Sequence, residues 1–442
     1  MKKEDTKDFL VSVLSTQTGN LANTIKQLTQ KYVQLWWQTP ASLPSFFKTY
    51  NPNEQEKIEK EISRVVEQFF AYMDQYLAVE DVNGIDFSEP IDQAKEYLKK
   101  LSDLTGIHLN PTFVNGFIRS TQLFIDKVNR FDPSMAPENI YQALRNIWTS
   151  NAIQNYMHME IGCSDSMFAY SMIYPYTDNV MDDVSITQTR KIQFSENLKH
   201  RLEGQPYPRD CSETEKKLDA LVYRIEEQFP RVEFPDVFQS LLGIYNAQAK
   251  SLIQQGQDVS PYVIDVLGIS FEKGGTSVLA DGYLVKGHLD KTQQDYCFAL
   301  GTFLQLADDI QDILMDKKNN HMTLFSQVTG KYPLDAIANK LFHYISLIVE
   351  NTLGNPSRQD LKKLLHKSFY FHIMEAVGKN RELYSNQYIK NLEAHFPFRF
   401  RFLKKLRKKL GKLHLKQKQR TPDIRLDIIS SGLLALTSRV YE

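Results

Sequence analysis

Apolar residues recur at steps of three and four along most of this chain, the spacing that lines one face of a helix. In residues 54–77 the stripe runs through Ile58, Ile62, Val65, Val66, Phe69, Phe70 and Met73. Similar patterns occupy 92–104, 114–129, 213–228, 236–255, 291–316 and 334–352. No region offers several alternating strands at regular spacing. Helix breakers are also scarce: 19 Gly and 17 Pro are about 8% of 442 residues, against ~12% in average usage. The expected fold class is all-α. A hydrophobic fraction of 42% excludes bulk disorder.

Charge narrows the partners. Lys and Arg total 53, as do Asp and Glu, so the whole chain gives no argument for a polyanion, and nucleic acid is not expected. Residues 399–420 are the exception, with eleven Lys or Arg and no acid. Phe402, Leu403, Leu406, Leu410 and Leu413 keep a helical stripe there. A basic amphipathic helix suits an anionic membrane surface or an acidic partner. The plainer alternative is a solvated helix whose leucines pack on the body of the protein. Cys163, Cys211 and Cys297 are too widely spaced for a zinc or redox motif and fit a reducing compartment. The first residues carry acids and no sustained apolar core, unlike a secretory signal. Apolar runs stop at about ten residues, short of the ~18 of a membrane span. A cytoplasmic protein, at most peripheral to a membrane, is expected.

Two acidic clusters interrupt apolar, aromatic stretches. One is Asp178-Asn-Val-Met-Asp182-Asp183; the other is Gln305-Leu-Ala-Asp308-Asp309-Ile-Gln-Asp312. On a helix, residues four apart share a face, which pairs Asp178 with Asp182 and Asp308 with Asp312. Like charges at that spacing cost a few tenths of a kcal/mol in water, and more when partly buried. Concentrated negative charge in such a setting needs a cation. Oxygen ligands without Cys or His favour a hard divalent ion, most simply Mg2+, which takes one or two carboxylates and completes its shell with water and substrate phosphates. Two facing pairs, 130 residues apart in sequence, suit a metal–diphosphate complex held between them.

The two clusters resemble the aspartate-rich motifs of the class I isoprenoid (terpene) synthase superfamily, over roughly residues 145–325. The second is similar to the second motif of trans-prenyl diphosphate synthases, including Gln305 three residues before it. The first is similar to the DxxxDD motif of squalene synthases and some terpene synthases. The resemblance implies a helical bundle over 141–395 with the motifs facing across an apolar cavity. A helical region over 1–140 would precede it, and a basic segment and tail over 396–442 would follow. It also implies three Mg2+ ions, held by Asp178, Asp182, Asp183, Asp308, Asp309 and Asp312, that bridge to an allylic prenyl diphosphate. Tyr174 and Tyr170, one and two turns before Asp178, would line the cavity, since aromatic faces attract cations. Lys273, beside Gly274-Gly275, would contact the diphosphate. Two glycines cost ~2 kcal/mol of helix propensity against alanine, so a helix break or a close backbone approach is expected there, with Gly274 near the substrate. Lys317 or Lys318, in a loop similar to the lysine-bearing loop of prenyltransferases, would neutralise phosphate oxygens. Arg190 and Lys191 are weaker candidates.

Departures from the pattern sharpen the functional reading. No Arg-Arg-Gly follows the first motif, no DxDD occurs, and the Asn-Asp-x-x-Ser-x-x-x-Glu metal motif of many terpene cyclases is absent. The expected activity is ionisation of a prenyl diphosphate followed by cyclisation or rearrangement. The alternatives are a prenyltransferase, chain-elongating or head-to-head, and, from another class, a non-catalytic helical binding protein.

Overall fold

The computed structural model describes residues 19–46, 48–76, 88–107, 110–183, 185–256, 260–353 and 359–420. Residues 1–18 and the tail 421–442, both touched by the expectations above, lie outside them. The described residues hold sixteen α-helices and no strand, as the apolar period requires. Their only β-type pairing is an isolated bridge between Gln255 and His321. No described helix is long and apolar enough to cross a membrane. All three cysteines are free, with Cys163 and Cys297 buried.

The chain forms two units. The first combines Met1–Pro40, Gly116–Tyr332 and Tyr344–Gly354; the second combines Ala41–Asn115, Pro333–His343 and Asn355–Glu442. Neither coincides with a consecutive segment such as 1–140, 141–395 or 396–442.

Five of the first unit's helices pack on one buried helix. Its elements are α1 (Asn20–Gln38), most of α4 (Pro111–Phe131), α5 (Pro137–Tyr156), α6 (Asp165–Asp182), α7 (Gln188–Leu202), α8 (Glu213–Gln228), α9 (Pro235–Ser251), α10 (Val266–Lys286), α11 (Lys291–Gln311) and α12 (Ile313–Lys318). Helix α10 is apolar around most of its circumference and buried along most of its length, as such a pattern demands. It packs along α11 and α9 and also meets α1, α5 and α6. Tyr32 and Trp36 anchor α1: Tyr32 stacks on Phe298 at 6.1 Å, and Trp36 meets Tyr344 edge-on at 5.5 Å. The first helix therefore belongs to the unit that carries both aspartate clusters.

Local sequence starts these helices cleanly. Ser164 caps α6 by accepting from the Met167 N–H, and Asp265 caps α10 by accepting from the Gly268 N–H. Reciprocal capping boxes open α8 (Ser212 with Glu215) and α11 (Asp290 with Gln293), each cap being worth about 1 kcal/mol.

The second unit contains α2 (Pro52–Tyr76), α3 (Ser88–Thr105), α14 (Gln359–Lys379), α15 (Asn386–Glu393) and α16 (Phe400–Arg420), with the first half of α13 (Asp335–Thr352). Phe371, Phe396, Phe398, Phe400 and Phe402 form an aromatic core at the start of α16. Leu403, Leu406 and Leu410 of α16 are at most 3% exposed. Each such leucine contributes roughly 1.5–3 kcal/mol by leaving water. The leucine stripe thus packs on the body of its own unit; the Leu413 side chain lies outside the described residues.

Candidate active-site cavity

Both aspartate clusters sit at helix C-termini. Asp182 lies in the last turn of α6, Asp178 stands one turn before it, and Asp183 is the C-cap. Asp308 and Asp309 lie in the last turn of α11, and Asp312 is the cap that separates α11 from α12. A helix C-terminus carries about half a negative charge, so carboxylates there are disfavoured by ~0.3–1 kcal/mol each, where Lys or Arg would be favoured. Neither last turn contains a basic residue. The same electrostatic conflict, twice, in one unit, is the arrangement a cation relieves.

A cavity of about 340 Å³ opens beside the first cluster. One face of α6 walls it with Tyr170, Tyr174, Asp178 and Met181; α7 adds Phe194 and Leu198, α9 adds Leu241 and Ile244, and Lys273 of α10 reaches it as well. The volume lies within the range of small-molecule sites, which are mostly apolar with a few placed polar groups. The Tyr170 and Tyr174 hydroxyls are 2.5 Å apart and their rings meet edge to face at 5.1 Å. Tyr174 also hydrogen-bonds Ser277 Oγ at 2.9 Å, and Tyr170 donates to the Ser277 carbonyl at 3.2 Å. Burial holds both phenols well above their ordinary pKa, so they stay protonated. Gln142 Nε2 donates to Asp178 Oδ2 at 2.5 Å and orients that carboxylate. The Asp182 side chain lies outside the described residues. Asp183 is exposed and accepts from the Ser185 N–H at 2.8 Å.

One member of the second cluster, Asp309, is electrostatically coupled to Lys273. Asp309 is buried, and Gln305 Nε2 donates to its Oδ1 at 2.8 Å. Its Oδ2 has no hydrogen-bond partner among the described residues. Burial raises its pKa to about 8, against the opposing pull of the Gln305 hydrogen bond and the Lys273 charge. Lys273 therefore lines the cavity with Asp178 and also acts electrostatically on Asp309. None of Asp308, Asp309, Asp312 or Gln305 lines the cavity wall itself.

An orphaned carboxylate oxygen and an all-oxygen donor set fit a hard divalent ion. Among the described residues no three His, Cys, Asp or Glu side chains converge into a ready-made cage. Mg2+ rarely uses one, taking one or two carboxylates with substrate phosphates and water.

Helix α10 runs unbroken through Gly274-Gly275, so of the two expected outcomes, a break or a close backbone approach, the second is realised. The close approach is real, and its partner is another helix. A Cβ on Gly274 would lie 2.4 Å from the Gly301 carbonyl oxygen. Gly274 faces α11, outside the cavity lining. Lys317 is exposed and donates to the Thr329 carbonyl at 3.2 Å, and Lys318 is likewise exposed. Neither reaches the cavity wall. Arg190 pairs with the buried Glu215, and Lys191 donates to the Met181 carbonyl, so both hold α7 in place.

Sequence reasoning missed Asp281. It is 1% exposed on α10, and Asn146 Nδ2 and Ser150 Oγ of α5 donate to its Oδ1 at 2.8 and 3.0 Å. Asn146 also donates to Ser171 Oγ on α6, so the group ties three helices behind the tyrosine pair. A lone acid inside the apolar run Val278-Leu-Ala-Asp-Gly-Tyr-Leu was the available signal. Oδ2 has no partner among the described residues, and burial raises the pKa to about 8 from 3.8. Between those values the folded chain holds a proton that the unfolded chain has released. The contribution to stability therefore falls as pH rises from about 4 to 8, by at most about 1.4 kcal/mol per unit, and levels off above. Asp281→Asn keeps the shape and cannot ionise. Its melting temperature should gain on the parent's steadily from pH 5 to 8; parallel curves would show that Asp281 is ionised in the fold.

No protein-family model, curated protein or solved structure matches this chain.

Proposed function

We propose that this chain is a class I terpene synthase that ionises a prenyl diphosphate with Mg2+ and cyclises or rearranges the resulting carbocation. The observation that carries the reading is the cavity: a half-open, mainly apolar and aromatic cleft whose charged wall residues are Asp178 and Lys273, with buried Asp309 within electrostatic reach of that lysine.

The division of labour follows from the residues. Lys273 supplies a point charge for diphosphate oxygens. Asp178, with Asp308, Asp309 and Asp312, would hold the metal, the Asp182 and Asp183 carboxylates extending the first motif. When bound, Mg2+ neutralises charge developing on the departing diphosphate. Ile244, Leu241, Leu198 and Phe194 give the wall an apolar surface, on which water that would quench a cation is poorly held. Tyr170 and Tyr174 place aromatic rings on the wall, where ring faces attract positive charge by about 0.5–2 kcal/mol. Their hydroxyls are held by each other and by Ser277.

The test is incubation with Mg2+ and prenyl diphosphates of increasing length, with and without isopentenyl diphosphate, followed by extraction and gas chromatography. Hydrocarbon or alcohol from one allylic diphosphate is the expected product. Product only with isopentenyl diphosphate would indicate chain elongation, and a head-to-head dimer a squalene-synthase-like reaction. No turnover together with no Mg2+-dependent diphosphate binding would leave a binding protein.

Lys273→Ala should weaken inhibition by inorganic diphosphate about ten- to a hundredfold, the worth of one charged hydrogen bond of ~1.5–3 kcal/mol. Lys273→Arg should retain most of it, because the charge persists. Equal inhibition constants for parent and Ala variant would remove Lys273 from the diphosphate site.

A further inference from the structure

The basic segment of α16 divides its charges sharply. Cations off the exposed face are paired: Arg399, just before the helix, with Glu59, and on the flanks Arg407 Nη2 with Glu375 Oε1 at 2.9 Å and Lys409 with Glu67. Arg401, Lys404, Lys405, Lys408 and Lys412 are exposed, and none has an ion-pair partner among the described residues. At 3.6 residues per turn these five fall within an arc of about 100° and a length of about 16 Å. Leu403, Leu406 and Leu410 occupy the opposite face and are buried in the second unit. The helix is thus a positive ridge fixed to its own unit by its apolar side.

We propose that this ridge is a docking surface for anionic phospholipid bilayers that works by charge alone, without insertion. The chemistry selects the occupant. Four of the five cations are lysines, compact point charges suited to a smeared negative surface, where planar arginine forks suit discrete bidentate sites. A ridge on the outside of a helix is convex and meets a plane along its length. Single-stranded nucleic acid is held in a charged groove with aromatic stacking platforms, and the ridge has neither a groove nor an exposed aromatic side chain. The buried leucines set the mode: an interfacial helix sinks its apolar face between lipids, and here that face is already occupied. The inference rests on α16 alone and is independent of the proposed activity.

The full chain is mixed with vesicles of phosphatidylserine and phosphatidylcholine, or of phosphatidylcholine alone, and sedimented. Lys404, Lys405, Lys408 and Lys412 are replaced together by Gln, whose helix propensity is close to that of Lys, and in a second variant by Arg. The parent should sediment with the anionic vesicles only. The Gln variant should lose on the order of a hundred- to a thousandfold in partition, at about a factor of five per lysine, and the Arg variant should bind as the parent does. Raising salt to about 1 M, where screening acts within ~3 Å, should release all of the bound protein. Absence of parent binding, or equal binding by the Gln variant, overturns the proposal. A salt-resistant bound fraction overturns the charge-only mode and points to insertion. Tighter binding to a DNA duplex or to polyglutamate than to vesicles, at equal concentration of anionic groups, reassigns the ridge to that polyanion.

Discussion

Turnover should fall by about a thousandfold or more when Asp308 and Asp312 are both replaced by Ala, and likewise for Asp178 with Asp182, while helical circular dichroism is unchanged. The loss follows from the role proposed for these groups. A metal ion stabilises several kcal/mol of charge in the transition state, and each 1.4 kcal/mol is a factor of ten in rate. The unchanged fold follows from where the groups lie. Each pair sits in or beside the last turn of a helix without a basic neighbour in that turn. Removing the charges relieves the unfavourable dipole interaction, ~0.3–1 kcal/mol per group, and a few tenths more from like-charge repulsion. In the absence of Mg2+ and diphosphate, both double variants should therefore melt at or slightly above the parent. The parent should gain stability on adding Mg2+ with diphosphate, by linkage, and the variants should not. Near-full activity in either variant would remove that cluster from the chemistry. A lower melting temperature with loss of ellipticity would show that the carboxylates serve the fold.

What the sequence makes legible is local. The helical period is written in each segment, so the all-α class follows without long-range information. The two carboxylate clusters are legible because an acid in an apolar run is anomalous wherever it sits, and Tyr170 and Tyr174 follow from their four-residue steps to Asp178. Long-range pairings are not legible. Nothing near Asn20–Gln38 says that Tyr32 will stack on Phe298 or Trp36 meet Tyr344, so the first helix reads as part of a separate N-terminal region. Asp281 is anomalous as a lone acid in an apolar run, but its role is not legible for the same reason: it depends on Asn146 and Ser150, more than 130 residues earlier. The leucines of α16 pose a different problem. Amphipathicity shows that one face will leave water, but lipid and protein offer that face the same gain, and only the packed second unit decides between them. Gly274-Gly275 leaves two outcomes open, a break or a close backbone approach. Propensity alone argues for a break, yet the helix continues because tertiary packing rewards the missing side chains.

That packing yields the second large effect, at the crossing of α10 and α11. A Cβ at position 301 would lie 2.0 Å from the Gly274 carbonyl oxygen, 2.7 Å from its carbon and 2.9 Å from the Gly275 Cα. All three are backbone atoms of a helix buried along most of its length, so no side chain can swing aside. Gly301→Ala must push two core helices apart, and overpacking of this kind costs ~1–3 kcal/mol or more. The gain of about 1 kcal/mol in helix propensity offsets only part of it. Gly301→Ala should therefore lower the melting temperature by several degrees, at roughly 2–4 °C per kcal/mol for a unit of this size. Gly411→Ala supplies the control, since a Cβ there meets nothing within 4 Å; the same chemical change on α16 should raise stability slightly. Gly274→Ala aims at the Gly301 carbonyl oxygen from the other side, at 2.4 Å. Once either alanine has separated the helices the other finds room, so the double variant should lose less than the two single losses added. The crossing also sets how Lys273, next to Gly274, lies relative to Asp309, which bonds Gln305 one turn beyond Gly301. Gly301→Ala should accordingly weaken diphosphate inhibition at temperatures where the variant is still fully folded. A Gly301→Ala protein as stable as the parent, with unaltered diphosphate inhibition, would show that the helices do not meet backbone to backbone at this point.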